Sequence, residues 1–220
     1  MKGFISIFKS SAKELTDVRT ITVTGMLLAV AIALRSFAID ITQDMRISFA
    51  FIAIMAIAVL YGPVVAGMAN FAKDFIGYII SNHTTREYSI PLAMVVIISG
   101  IIYGLICYSA NDDESEKYRI TPKKTVKICI SRVVVVLISQ VCLNSIILYV
   151  SYVNKDFSFL NPDGYNAFFV WLTPRLIKNA VQLIVDIPLV AITVPLIVTA
   201  YNRVRNMYSA HSRKSAIKQK

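Results

Sequence analysis

Charge is scarce in this sequence. Asp, Glu, Lys and Arg make up 16% of its 220 residues, and hydrophobic residues make up 56%. Soluble globular domains carry about 25% charged residues. The charges present are gathered into short segments between long apolar runs, and the mean hydropathy is +0.62. That pattern excludes a large soluble domain. The phosphate-cradling GxxxxGK[ST] loop is absent, so the chain has no P-loop with which to hydrolyse ATP. HExxH and GxSxG are absent too. Both histidines, His83 and His211, lie in polar segments with no partner nearby in sequence. No catalytic set, metal site or cofactor motif emerges, and the chain reads as a non-enzyme. Cys107, Cys129 and Cys142 show no CxxC spacing and fall in or beside apolar runs. They are expected to be small buried hydrophobes rather than ligands or a disulfide framework. The stretch MKGFISIFKSSAKELTDVR has no apolar core or small-residue cleavage site, so no signal peptide is expected there.

Apolar runs long enough to cross about 30 Å of hydrocarbon predict an all-α integral membrane protein of six transmembrane helices. Helix 1 covers 21–39 and helix 2 covers 47–61, short for a span. A break at Gly62-Pro63 leads at once into helix 3, 64–81. Helix 4 covers 89–108 and helix 5 covers 126–149. Helix 6 covers 176–201 and is interrupted by Pro188 and Pro195. The organisation is a cytoplasmic arm at 1–20, a membrane domain at 21–201 and a basic cytoplasmic tail at 202–220. In the arm, Phe4, Ile7, Phe8 and Leu15 could line one face of a surface helix, with Lys2, Lys9 and Lys13 among the polar positions; a disordered tail is the alternative.

The net charge of +10 is explained by the bilayer and not by nucleic acid, because cytoplasmic loops accumulate Lys and Arg. Fifteen of the basic residues lie in the arm, in the 4–5 connection (Lys117, Arg119, Lys123, Lys124 and Lys127) and in the tail. Only Arg46, Arg86 and Lys155 lie on the other side. A multi-pass protein of the cell membrane with both ends in the cytoplasm is therefore expected. The outward 5–6 connection is rich in aromatics (Phe157, Phe159, Tyr165, Phe168, Phe169 and Trp171). It reads either as an interfacial belt or as a wall over an outward pocket.

Ionisable residues inside a membrane are costly and mark partners or cavities. Arg175, Asn179, Gln182 and Asp186 fall at i, i+4, i+7 and i+11, one polar stripe along helix 6. Helix 3 offers Asn70, Asp74 and Gly77, with Lys73 beside Asp74 and about 100° away from it around the helix. These residues predict either a polar pocket in the outer half of the bundle or interhelical salt bridges such as Asp74 with Lys178. Arg132 and Arg35, near helix ends, read as snorkelling anchors. Gly25, Ala29 and Ala33 repeat every fourth residue, a flat stripe for close helix packing inside the bundle or against a partner.

Several stretches in order resemble the substrate-binding (S) components of energy-coupling factor (ECF) vitamin transporters, the folate family most closely. They are Arg46-Ile47-Ser48-Phe49 leading to Tyr61-Gly62-Pro63-Val64-Val65, Lys73-Asp74-Phe75-Ile76-Gly77, Gly100-Ile101-Ile102-Tyr103-Gly104-Leu105, Leu143-Asn144-Ser145, and Pro174-Arg175-Leu176-Ile177-Lys178-Asn179. One segment departs: His83 to Pro91 stands where folate members usually carry phe-pro-gly and phe-thr-leu runs. The resemblance spans roughly residues 20 to 200. It implies an S-component bundle that captures a vitamin, folate, from outside. It further implies docking of Gly25, Ala29 and Ala33 on a coupling transmembrane subunit served by two ATPase subunits. Arg46 and Arg175 would then meet ligand carboxylates, Asp74 and Asn144 the pteridine edge, and Asn179 would join them. The alternatives are an S component for another vitamin, a stand-alone ion-coupled transporter relaying protons through Lys73, Asp74 and Asp186, and a membrane enzyme or structural membrane protein.

Overall fold

The computed structural model describes residues 2–36, 39–42, 45–80, 88–109, 118, 120–153 and 162–218. Its helices are α1 (Lys2–Glu14), α2 (Val18–Ser36), α3 (Phe51–Tyr61), α4 (Pro63–Ile80) and α5 (Ile90–Cys107). After these come α6 (Pro122–Val135), a π-helical stretch Val136–Leu143, α7 (Asn144–Leu148), a second π stretch Tyr149–Val153, and α8 (Pro162–Lys218). The π turns widen the backbone, so the Asn144 N–H reaches back five residues to the Ser139 carbonyl. A two-stranded antiparallel hairpin, β1 (Ile39–Thr42) with β2 (Met45–Ile47), joins α2 to α3 and sets Asp40 opposite Arg46. The fold is the expected all-α membrane bundle, with this one short hairpin added where Ile39-Asp-Ile-Thr alternates apolar and polar side chains at the period of a strand.

The predicted spans map onto α2, α3, α4, α5, the continuous 122–153 helix and α8. Four of these helices are long and apolar enough to cross a membrane: Val18–Arg35, Ile90–Cys107, Pro122–Ser151 and Phe168–Tyr208. Helix 2 starts at Phe51 rather than at Ile47 and is only 11 residues long. At 1.5 Å per residue it covers about 16 Å, half of the hydrocarbon layer. Every residue of α3 is buried. It is apolar all round because other helices enclose it, so length alone misrepresents it as a short span. The Pro188 and Pro195 interruptions of helix 6 do not break the backbone. Pro174, Pro188 and Pro195 all lie inside one 57-residue helix. The boundary expected at 201/202 falls inside that helix, as do Phe168, Phe169 and Trp171 of the expected 5–6 loop, while Phe157 and Phe159 lie outside the described residues.

The break between α3 and α4 holds the bundle end together. Gly62 takes φ 86°, which an L side chain rarely adopts. α1 closes over this turn. The Ser11 hydroxyl donates to the Tyr61 carbonyl (2.7 Å) and accepts from the Val64 N–H (3.0 Å). The arm is therefore helical as expected, but it is pinned to the bundle as well as amphipathic. α4 and α5 approach closely through small residues. A Cβ on Gly100 would stand 2.6 Å from the Ala66 carbonyl oxygen, and one on Gly104 would strike the Pro63 backbone. In α2, Val23, Leu27, Ala31 and Leu34 face the core at helical spacing. Of the cysteines only Cys107 is buried, bonded to Ser131 (3.2 Å), whereas Cys142 is exposed. That corrects the expectation of three buried thiols.

Close helix approach tolerates no added methyl group, and overpacking costs about 1–3 kcal/mol. Gly104→Ala is therefore expected to lower the melting temperature in detergent. Gly25→Ala, where an added Cβ meets nothing within 4 Å, is expected to leave it unchanged. Equal melting curves for both variants would show that the α4–α5 contact yields.

Candidate functional site

The inward stripe of α8 changes character along its length. From the hairpin end, Arg175, Asn179, Gln182 and Asp186 are all buried. The same face continues as Val190, Val194 and Val198, which are fully buried. Polar side chains therefore meet the interior on the hairpin side, and apolar ones fill it on the Gly62 side. A cavity of about 140 Å³ lies on the polar side.

Arg132 and Phe51 make its floor. The Arg132 guanidinium donates from Nε (3.0 Å) and Nη2 (2.6 Å) to Asp186 Oδ2, and from Nη1 to the Tyr103 hydroxyl (2.6 Å). The Phe51 ring lies 3.7 Å from its Cζ. Arg132 is 5% exposed and Asp186 0%. The snorkelling role expected for Arg132 is corrected. Its helix begins at Pro122, which sets Arg132 about 15 Å inside, too deep to reach water. Asp186 Oδ1 has no hydrogen-bond partner among the described residues.

Val136 and Gln140 rise from the floor on the 122–153 helix, with Lys178, Asn179 and Gln182 on α8, Lys73 on α4, and Ser48 and Ala50 before α3. Lys73 and Asp74 diverge as their 100° separation requires. Lys73 lines the cavity, whereas Asp74 accepts from Arg35 Nη1 (3.3 Å) and the Tyr88 hydroxyl (3.4 Å). Burial, reinforced by the Asp74 carboxylate, raises the Tyr88 pKa. The interhelical bridge that the sequence allowed for Asp74 is thus made to Arg35 rather than to Lys178, and Arg35, in the last turn of α2, is held by that pair. Gly77 makes room for this, since a Cβ there would collide with the Arg35 guanidinium. Asn70 turns away, donating to the Val96 carbonyl (2.7 Å) and Ser99 Oγ (2.8 Å) on α5.

Among the sequence candidates, Asn179 lines the cavity. Arg175 sits one turn away, its guanidinium 4.1 Å from the centre of the Trp171 ring, which packs against Tyr149 and Phe168. Asn144 is half-buried on α7, one turn beyond Gln140. Asp74 stands beside Lys73 but does not line the cavity. Arg46 is placed by its backbone on β2, and its side chain lies outside the described residues. Gly25, Ala29 and Ala33 are exposed on the face of α2 that leaves the bundle. Sequence reasoning did not assign Lys73, Arg132, Gln140 and Lys178 to the cavity. The signal for one of them was present: Gln140 lies four residues before Asn144, on the same helix face.

Breaking a buried ion pair by removing one partner costs about 3–5 kcal/mol, while replacing both partners with apolar groups is often neutral. Arg132→Met alone and Asp186→Leu alone are each expected to lower the melting temperature strongly. The double variant Arg132→Met/Asp186→Leu is expected to recover most of the loss. Additive losses in the double variant would show that the two charges do not stabilise each other.

Residues 19–194 match the family model described as ECF transporter, substrate-specific component. A curated relative, the folate transporter FolT of Leuconostoc mesenteroides subsp. mesenteroides, is 26% identical over 166 residues, covering 76% of this chain and 79% of the relative. A solved structure, FolT bound with folic acid, aligns with a TM-score of 0.59 at 23% identity over 79% of this chain and 91% of that one, which shows the same fold. With four-fifths of its length inside the matched region and apolar helices crossing the bilayer several times, the chain belongs to the substrate-specific components of ECF transporters.

Proposed function

We propose that this chain captures folate outside the cell and delivers it through an importer whose coupling transmembrane subunit and two ATPase subunits are separate proteins. The observation that carries the reading is the change along α8: a cavity with polar walls, closed at mid-bundle by the Arg132–Asp186 pair, with Val190, Val194 and Val198 beneath. The relative named a folate transporter supports the choice of ligand. The absence of a P-loop motif in the sequence assigns energy supply to partners. The positive-inside bias supports an orientation with both termini and the 4–5 connection in the cytoplasm and the hairpin end outside. A proton relay through Lys73, Asp74 and Asp186 is disfavoured, because Asp74 and Asp186 are each held by a different arginine.

Asn179 is the ligand contact closest to the floor, with Gln140 and Gln182 beside it. Arg175 and Asn144 stand one turn outward, Arg46 on the hairpin, and Asp74 at the rim with Arg35. Pockets for drug-sized ligands run to about 300–1,000 Å³, so the walls around the 140 Å³ cavity must separate when folate binds. Gly25, Ala29 and Ala33 serve as the docking stripe. They face away from the bundle, and small residues allow a partner helix to approach closely.

Calorimetric titration of folate into the detergent-purified protein tests the ligand, and wild type is expected to bind. Loss of a charged hydrogen-bonded partner in a buried site costs about 2–5 kcal/mol, so Arg175→Ala, at a buried position, should weaken binding at least about tenfold. Asp74→Asn, at the partly exposed rim, should weaken it more modestly. Unchanged affinity in Asp74→Asn with a lowered melting temperature would make the Arg35–Asp74 pair purely structural. No heat of binding in wild type would remove folate as the ligand.

The docking stripe makes a separate claim. Ala29→Leu adds bulk on an exposed helix face, so uptake by cells carrying the full importer should fall while folate binding to the isolated subunit stays normal. Parallel loss of binding and uptake would place the stripe in internal packing instead.

A further inference from the structure

We propose that Lys73 and Lys178 are the counter-charges for the ligand's carboxylate end, so that the cavity selects an anionic ligand over its neutral analogue. The proposal rests on the folate reading above and specifies which groups of this chain read the ligand's charge. Three cations line the cavity, Lys73, Arg132 and Lys178, and no carboxylate does among the described residues. Arg132 is matched from behind. Nε and Nη2 are bound by Asp186, Nη1 by Tyr103, and its face is covered by Phe51. Its charge is paired at the floor, and three of its five N–H donors are engaged there. Asp74, the carboxylate next to Lys73 in sequence, is turned to Arg35 and Tyr88. Two ammonium groups from two different helices thus add positive charge to the cavity walls.

A charge inside a membrane protein is costly and persists where it faces a partner or a functional cavity. Lys73 lies seven residues before the end of α4 at Ile80, about 10 Å below the hairpin end. Lysine presents a compact charge with three rotatable donors, and two lysines can share a carboxylate without the planar geometry an arginine imposes. Charge-assisted bonds of this kind are shorter and roughly twice as strong as neutral ones. The remaining polar wall groups, Gln140, Asn179, Gln182 and Ser48, both donate and accept. They can serve the uncharged parts of a ligand but cannot discriminate its charge.

The test compares folate with folate whose two glutamate carboxylates are converted to amides, titrated into the full-length purified protein. Calorimetry and the fluorescence of Trp171, the single tryptophan of the chain, report binding. Wild type should bind folate at least about 30-fold more tightly than the diamide. Lys73→Gln and Lys178→Gln should each weaken folate about tenfold or more and leave the diamide unchanged. Lys73→Arg, which keeps the charge, should retain most of the preference for folate. Melting curves of each glutamine variant are recorded alongside, so that affinity is compared only between proteins that remain folded. Equal wild-type affinity for folate and the diamide overturns the proposal while leaving the folate reading intact. Glutamine variants that lose both ligands alike overturn it too, since the lysines would then hold the ring or the fold. Failure of wild type to bind folate overturns both readings together.

Discussion

The architecture turns on one buried ion pair. Arg132 and Asp186 meet at 2.6 Å with side chains 6% and 1% exposed, in the part of the bundle where water is scarcest. Neither charge is tolerable there alone. Each fixes the other, and Tyr103 and Phe51 fix the guanidinium plane. Three helices and the start of α3 are thereby tied at one level. On one side of that level α8 presents Gln182, Asn179 and Arg175. On the other it presents Val190, Val194 and Val198. The pair therefore does two jobs: it holds the bundle and it marks the bottom of the cavity.

Below the floor the bundle is closed by small-residue contacts rather than by charge. Gly100 and Gly104 let α5 lie against the first turns of α4, Gly62 turns the chain from α3 into α4, and Ser11 bridges the carbonyl and amide left at that turn. α3 can be short because it is enclosed on every side and has no lipid contact to satisfy. The apolar α3 needs the surrounding helices for burial, and they in turn use its first residue, Phe51, to cap the floor. α2 stands differently. One face carries Val23, Leu27, Ala31 and Leu34 into the core, and the other leaves Gly25, Ala29 and Ala33 uncovered.

Periodicity made the α8 stripe legible, because Arg175, Asn179, Gln182 and Asp186 share a face whatever surrounds the helix. The divergence of Lys73 and Asp74 was legible for the same reason. Pairing across helices was not. Sequence spacing fixes a direction around one axis and says nothing about which arginine a carboxylate will meet, so Asp74 with Arg35 and Asp186 with Arg132 went unread. The error at Arg132 came from a boundary. Starting the helix at Val126 instead of Pro122 made the arginine look shallow enough to snorkel. Proline misled in α8, where three prolines sit inside one continuous helix. In membrane helices neighbouring groups satisfy what the missing N–H leaves open. The hairpin strands went unread in the connection between helices 1 and 2, with only Ile39 and Ile47 taken as helix ends, since four- and three-residue strands are too short to display an alternation that outweighs flanking apolar runs.

The two ion pairs differ in what they allow. Arg35 and Asp74 stand 3.3 Å apart with side chains 23% and 25% exposed, and the Tyr88 hydroxyl joins them at 3.4 Å. Partly hydrated pairs of this kind contribute about 0–1 kcal/mol, and water can replace either partner when they separate. The floor pair has no such substitute. The bundle therefore separates at least cost on the hairpin side, where α2 and α4 are joined by the weaker pair. The floor keeps its geometry because separating Arg132 from Asp186 would leave two bare charges in an apolar interior. A fixed floor beneath a yielding rim is the mechanical consequence of where burial is complete and where it is not.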